Sequence, residues 1–187
     1  YSHVEKFAGI SGNRDGIAVL PDGEFMPPMD MNIVEKDLAA RLKSRYQGKR
    51  HFIIGRVANI TVPHHGRVNC QYQNKCWLGC NFGAYFSTQS ATLPAAVKTG
   101  KLTLRPLSIV KSIIYNRDTQ KAKGVEIVDA ETNQTYEYFA KIVFVCASTL
   151  NSTWVLMNSA TDVWEGGLGS SSGELGHNLM DHMLNSG

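Results

Sequence analysis

Ile142-Val143-Phe144-Val145-Cys146-Ala147-Ser148-Thr149-Leu150-Asn151 is the stretch on which the fold turns. Its first six residues are apolar throughout, whereas a strand with one solvated face would alternate. That pattern predicts a strand buried on both faces, with Cys146 as inert core. Ser148-Thr149 then reads as the cap of a helix running Asn151 to Ser159. A buried strand that feeds a helix is half of a doubly wound unit, and ligands sit at the carboxyl ends of such strands.

On the amino-terminal side of this corner the period changes to two. Leu102-Thr103-Leu104, Leu107 to Tyr115, Ala122 to Val128 and Gln134 to Phe139 alternate like strands. Asn116-Arg117-Asp118 and Asp129 to Asn133 are turn compositions between them. Three strands in succession with short turns predict an antiparallel meander. Further upstream, Gln89 to Lys98 reads as a helix with Pro94 in its first turns, where a missing N–H is least costly. Lys49 to Ile54 reads as a strand. Asn32 with Glu35 three residues on marks a helix start, and Leu38, Ala39 and Leu42 fall on one face of that helix, which ends near Tyr46-Gln47-Gly48. Tyr1, Val4 and Phe7 suggest a short first helix ended by Gly9 and Gly12, and the glycines and prolines from Ile10 to Pro28 predict surface loop. On the other side, Gly166 to Gly173 reads as a linker, and Leu175 to His182 begins something new.

Composition limits the function classes. Of the 187 residues, 43% are apolar and 19% charged, enough for a packed core and unlike a disordered chain. The net charge of +3 comes without a dense basic cluster, which argues against nucleic acid. The longest apolar run is six residues, far short of the roughly 20 that span a bilayer. The chain opens at Tyr1 rather than Met, and we read it as a piece of a longer protein.

The strongest local chemistry is Cys70-x5-Cys76-x3-Cys80, in a segment from Asn69 to Gly83 without clean periodicity. Thiolates are soft ligands suited to zinc or iron–sulfur chemistry. The spacing lacks the C-x2-C pair of zinc ribbons, although His64 or His65 could supply a fourth ligand. Packing by three reduced thiols, and a disulfide, remain open at this point, and His64-His65 also reads as a pair of solvent-exposed, non-functional histidines. No G-x-G-x-x-G, P-loop, G-x-S-x-G or H-E-x-x-H stretch occurs.

The order of motifs resembles the middle of a glucose–methanol–choline oxidoreductase, the family of FAD-dependent alcohol and sugar oxidoreductases. The resemblance rests on Cys76-Trp77-Leu78-Gly79-Cys80-Asn81-Phe82-Gly83-Ala84 with Ser87 and Leu93-Pro94-Ala95-Ala96. It continues with Gly100-Lys101-Leu102-Thr103-Leu104 and Val110, then Ala122-Lys123-Gly124-Val125. Ala147 to Ser159 is similar to the family's second signature, and Leu175-Gly176-His177-Asn178-Leu179-Met180-Asp181-His182 to the segment entering the substrate domain. The second signature usually has Gly at Ser148, Pro at Thr153 and Gly at Ala160.

The resemblance implies an α/β fold class (α+β as a fragment), part of an FAD-binding doubly wound domain with a three-stranded antiparallel meander insert. Residues 1–174 would be the partial FAD-binding domain. They divide into lead-in helix and loops 1–68, cysteine loop and helix 69–100, meander 101–140, buried strand and helix 141–159, and linker 160–174. Residues 175–187 would begin the substrate domain.

It also implies FAD as cofactor, with Val110 against the adenine and Ala147, Ser148 and Asn151 near the ribose or pyrophosphate. The catalytic histidine and the first glycine-rich unit would lie outside this chain, leaving the piece alone inactive. The parent would oxidise a CH–OH group of a sugar, polyol or other alcohol by hydride transfer to flavin, as a dehydrogenase rather than an oxidase. In the bacterial sugar and polyol dehydrogenase branch, three such cysteines hold a 3Fe-4S cluster, so Cys70, Cys76 and Cys80 become its candidate ligands and a cytochrome the candidate electron acceptor. The bacterial cytoplasm and periplasm both stay open as compartments. The competing expectations are a cysteine-based metal-binding or redox module and a non-catalytic domain that retained the scaffold.

Overall fold

In the computed structural model, residues 1–13, 16 and 21–182 are described. Part of the loop expected over Ile10 to Pro28 and the end of the segment 175–187 lie outside them. The chain divides into two compact units, Tyr1–Thr103 and Leu104–Gly187.

In the first unit, helix α1 spans Ser2–Ala8 and stops at Gly9, whose φ of 79° is the left-handed helix terminus that glycine adopts without strain. Helix α2, Ile33–Arg45, starts where the capping signal predicts: Glu35 N donates to Asn32 Oδ1 at 2.9 Å, and Asn32 N donates to Glu35 Oε2 at 2.8 Å. None of its residues is buried. A single π turn, Thr88–Thr92, runs into helix α3, Leu93–Lys98, with Pro94 in the first turn as expected. Ala8, Phe25, Ile60, Ala84 and Ala91 form the core. No strand is built from Lys49 to Ile54 or from Leu102 to Leu104, because alternation needs a neighbouring chain to pair with and neither segment has one among the described residues. Isolated bridges hold the unit instead, joining Ser11 to both Met26 and Val57, and Asn59 to Tyr85.

In the second unit, β1 (Ser108–Asn116), β2 (Lys121–Asp129) and β3 (Thr135–Phe139) form the expected antiparallel meander in the order β1-β2-β3. Val110 pairs with Ile127 and Ile113 with Val125, and a bulge falls between Val110 and Ser112. Gly124 is buried between strands: a Cβ there would collide with the Tyr138 carbonyl oxygen. Helix α4, Ser148–Met157, packs on β1 and buries Val155 with Ile113 and Ile127 as this unit's core.

The corner departs from expectation in two ways. Ile142 to Ala147 has no regular secondary structure and no ladder partners among the described residues, with Ile142 69% and Phe144 81% exposed. Cys146 is exposed rather than core. An all-apolar strand is buried by strands on either side and by layers above and below, and none of the described residues supplies them. The doubly wound arrangement is therefore not formed within the described residues. Nor does Ser148-Thr149 cap the helix: Ala147 is the N-cap, and no side chain makes a capping bond there. The glycine- and serine-rich stretch expected as a linker folds back instead, with Leu168 N donating to the Leu156 carbonyl at 2.9 Å and Gly167 buried against Met157.

Candidate functional site

Two places carry the expected chemistry, one in each unit. In the second unit, Ala147, Ser148 and Asn151 gather at the amino end of α4, all exposed. Ser148 has a φ of 66°, a left-handed conformation that costs a non-glycine residue about 1–2 kcal/mol. The turn is kept by Ser152, whose Oγ accepts from Ala147 N at 3.2 Å. Neither an acidic residue nor a capping side chain occupies the helix's first turn, leaving backbone N–H groups and the positive end of the helix dipole for an anion. Val110 lies in the same unit on β1, 37% exposed and paired with Ile127 across the sheet, not at the helix end.

Beside the helix is a hollow of about 770 Å³, lined on one side by Thr149, Leu150, Asn151 and Trp154 and on the other by residues from Gly176 to Met180. Of the expected site residues only Asn151 reaches it. Leu150, Trp154 and Met157 recur at helical spacing along α4, and that spacing is the sequence signal for this face. The opposing wall, His177 to Met180, has no regular secondary structure and no periodicity to betray it.

In the first unit, the base of the cysteine loop is stapled by Cys70 N donating to the Ile60 carbonyl at 2.9 Å and Val68 N to that of Phe82 at 3.0 Å. The loop contains one 3-10 turn, Cys76–Leu78. Cys70, Cys76 and Cys80 are free, half-buried, and line one hollow of about 30 Å³; Cys76 and Cys80 also border a larger one of about 520 Å³. Burial pushes the Cys80 thiol up, but backbone hydrogen bonds from Tyr85, Phe82, Ala84 and Gly83 outweigh it and hold the thiol below its ordinary range. Among the described residues no group of three or more His, Cys, Asp or Glu side chains is gathered tightly enough for one metal ion. A Cys3His zinc site with His64 or His65 is thus not formed. His64 Nε2 instead bonds to the Phe7 carbonyl oxygen at 3.2 Å, and His65 is exposed.

Comparison with known proteins identifies the class. Residues 31–184 match the family model described as GMC oxidoreductase, and the chain belongs to that family. The family implies FAD. The chain is similar to the fructose dehydrogenase large subunit of Gluconobacter japonicus, 27% identical over 187 residues, covering 97% of this chain and 33% of that protein. It is also similar to the 2-methyl-1,2-propanediol dehydrogenase of Mycolicibacterium austroafricanum, 32% identical over 127 residues, covering 68% of this chain and 22% of that protein. The chain therefore spans a third or less of the length of these curated relatives. Among the described residues no helix is long and apolar enough to cross a membrane.

Proposed function

We propose that this chain is one part of an FAD-dependent dehydrogenase that oxidises a CH–OH group of a sugar or polyol. The observation that carries the reading is the corner at Ser148. The backbone there is left-handed, at the position where the family signature has Gly, and the helix turn that follows has neither an acidic side chain nor a cap. Such a turn suits a dinucleotide pyrophosphate, because unsatisfied N–H groups and the dipole both favour negative charge. Ala147, Ser148 and Asn151 would lie near the ribose or pyrophosphate, and Val110 would pack against the adenine. When bound, FAD supplies the hydride acceptor for the alcohol. The residue that takes the hydroxyl proton is expected outside this chain.

We extend the reading to Cys70, Cys76 and Cys80 as ligands of a 3Fe-4S cluster. Three free thiols share one hollow, and the amide N–H groups around Cys80 favour its thiolate, the form that binds iron. A cluster of this kind takes one thiolate per iron, so its ligands need not meet at a point as they must around zinc. Bound there, it would supply one-electron transfer between a two-electron carrier and an acceptor such as a cytochrome subunit.

The test is anaerobic purification of the complete polypeptide that carries this chain. Flavin absorption, iron with acid-labile sulfide, and reduction of an artificial acceptor by one of a panel of sugars and polyols are expected. A colourless protein would overturn the flavin reading. Flavin without iron, together with full activity of the triple Cys70→Ser, Cys76→Ser, Cys80→Ser variant, would overturn the cluster alone.

A further inference from the structure

Neither site described above uses Arg67, whose guanidinium is buried in the first unit with only 5% of the residue exposed. It follows a two-residue turn, His65-Gly66, whose φ values of 49° and 81° are those of a type I′ hairpin, closed by His64 and Arg67 exchanging backbone hydrogen bonds at 3.1 and 2.9 Å. The turn folds Arg67 under the carboxyl end of α1, where its Nη2 donates to the Ala8 carbonyl at 2.7 Å. That bond accounts for one nitrogen. Nε and Nη1 are buried with no partner among the described residues, and a buried charged donor left unpaired is costly.

Arg67 lines a hollow of about 200 Å³ together with Phe7, His65, Ala91, Pro94, Ala95 and Lys98. That is several times a water's share of liquid volume, about 30 Å³. Three of these lining residues are basic and none is a carboxylate, so the basic groups work against one another. Although the residue is exposed, loss of water around part of the His65 ring first, then the charges of His64, Arg67 and Lys98, push it below its ordinary value. Burial likewise lowers Arg67. The counterpart that a planar guanidinium fork binds best is negative charge carried on acceptor oxygens.

We propose that this hollow is an oxyanion-binding site, in which Arg67, His65 and Lys98 take a phosphate or carboxylate group. The group comes either as a free anion or as a carboxylate side chain from another segment of the complete polypeptide. In both cases bound negative charge draws a proton onto His65.

The experiment follows the His65 ring by NMR in the complete polypeptide labelled with 13C-histidine, assigned with His65→Asn. It is titrated with pH in chloride and then in inorganic phosphate at equal ionic strength. A free-anion site shows His65 titrating below about 6.5 in chloride and rising by about one pH unit in phosphate. Half-saturation then moves at least about tenfold higher in Arg67→Gln and in Lys98→Gln, as expected when a charge-assisted partner worth about 1.5–3 kcal/mol is lost. Lys98 is exposed, so that variant serves even if Arg67→Gln fails to fold. An internal carboxylate shows His65 already above its ordinary value in chloride and indifferent to phosphate. His65 staying below its ordinary value in both solutions would overturn the proposal and leave Arg67 to water.

Discussion

Replacing Ser159 with alanine should uncouple α4 from the meander. Ser159 is buried just beyond the helix, with two bonds on its one hydroxyl: it accepts from Ile113 N at 2.7 Å and donates to the Val155 carbonyl at 2.6 Å. β1 is an edge strand, and Ile113 N points away from β2, so Ser159 supplies the partner a neighbouring strand would otherwise give. Ser159→Ala removes that acceptor and strands the Ile113 N–H in a buried place. An unsatisfied buried donor costs about 1–3 kcal/mol, and we take about 2 as the least expected, because the Val155 carbonyl, among the last four of α4 and without a backbone donor among the described residues, loses its hydroxyl partner as well. Two kcal/mol is roughly a 30-fold change in an opening equilibrium, at about 1.4 kcal/mol per decade. The Ile113 amide should therefore exchange with deuterium about 30-fold faster, read in the β1 peptides by mass spectrometry, while β3 peptides change little. Urea unfolding should show the same loss of stability. Unchanged exchange at Ile113, with stability inside about 0.5 kcal/mol of wild type, would refute the view that this hydroxyl holds the helix to the sheet.

Other substitutions probe the same frame. Gly124→Ala should cost about 1–3 kcal/mol in urea unfolding, since the added methyl meets the β3 backbone rather than a side chain that can move. Ser148→Gly should raise stability by about 1 kcal/mol by relieving the left-handed backbone, and Ser148→Val should lower it, because a β-branched residue tolerates that φ worst. Asp129 titrates at about 2, drawn down first by the Thr132 backbone N–H, then by the Arg105 guanidinium at 2.8 Å and the Thr132 hydroxyl. A depressed carboxylate contributes stability above its ordinary 3.8 that is lost as pH falls toward 2. Asp129→Asn should therefore be less stable than wild type at neutral pH, and its stability should fall less steeply through that acid window, both read by urea unfolding at a series of pH values.

Elements whose cause is local are legible in the sequence. The capping pair of Asn32 and Glu35 places the start of α2 because both partners lie within four residues. The meander is legible because alternation and turn residues are neighbours in sequence. Ile142 to Ala147 carries equally clear information about what it wants, yet its state depends on strands that must come from elsewhere, so here it is exposed. The site residues divide in the same way. Ala147, Ser148 and Asn151 are one turn apart and fall together, while the far wall of the hollow that Asn151 borders, His177 to Met180, has no periodicity to announce it.

By itself the sequence determined residue chemistry and short-range order: three thiols on one loop, a helix after an apolar run, three strands of a meander, and the family. Only tertiary structure decided that Ile142 to Ala147 stays exposed, that Ser159 ties α4 to β1, and that Arg67 is buried beside His65 and Lys98. The physical reason is range. Caps, turns and alternation are settled by interactions over a few residues, whereas burial and the field at a charged group are sums over everything folded around it.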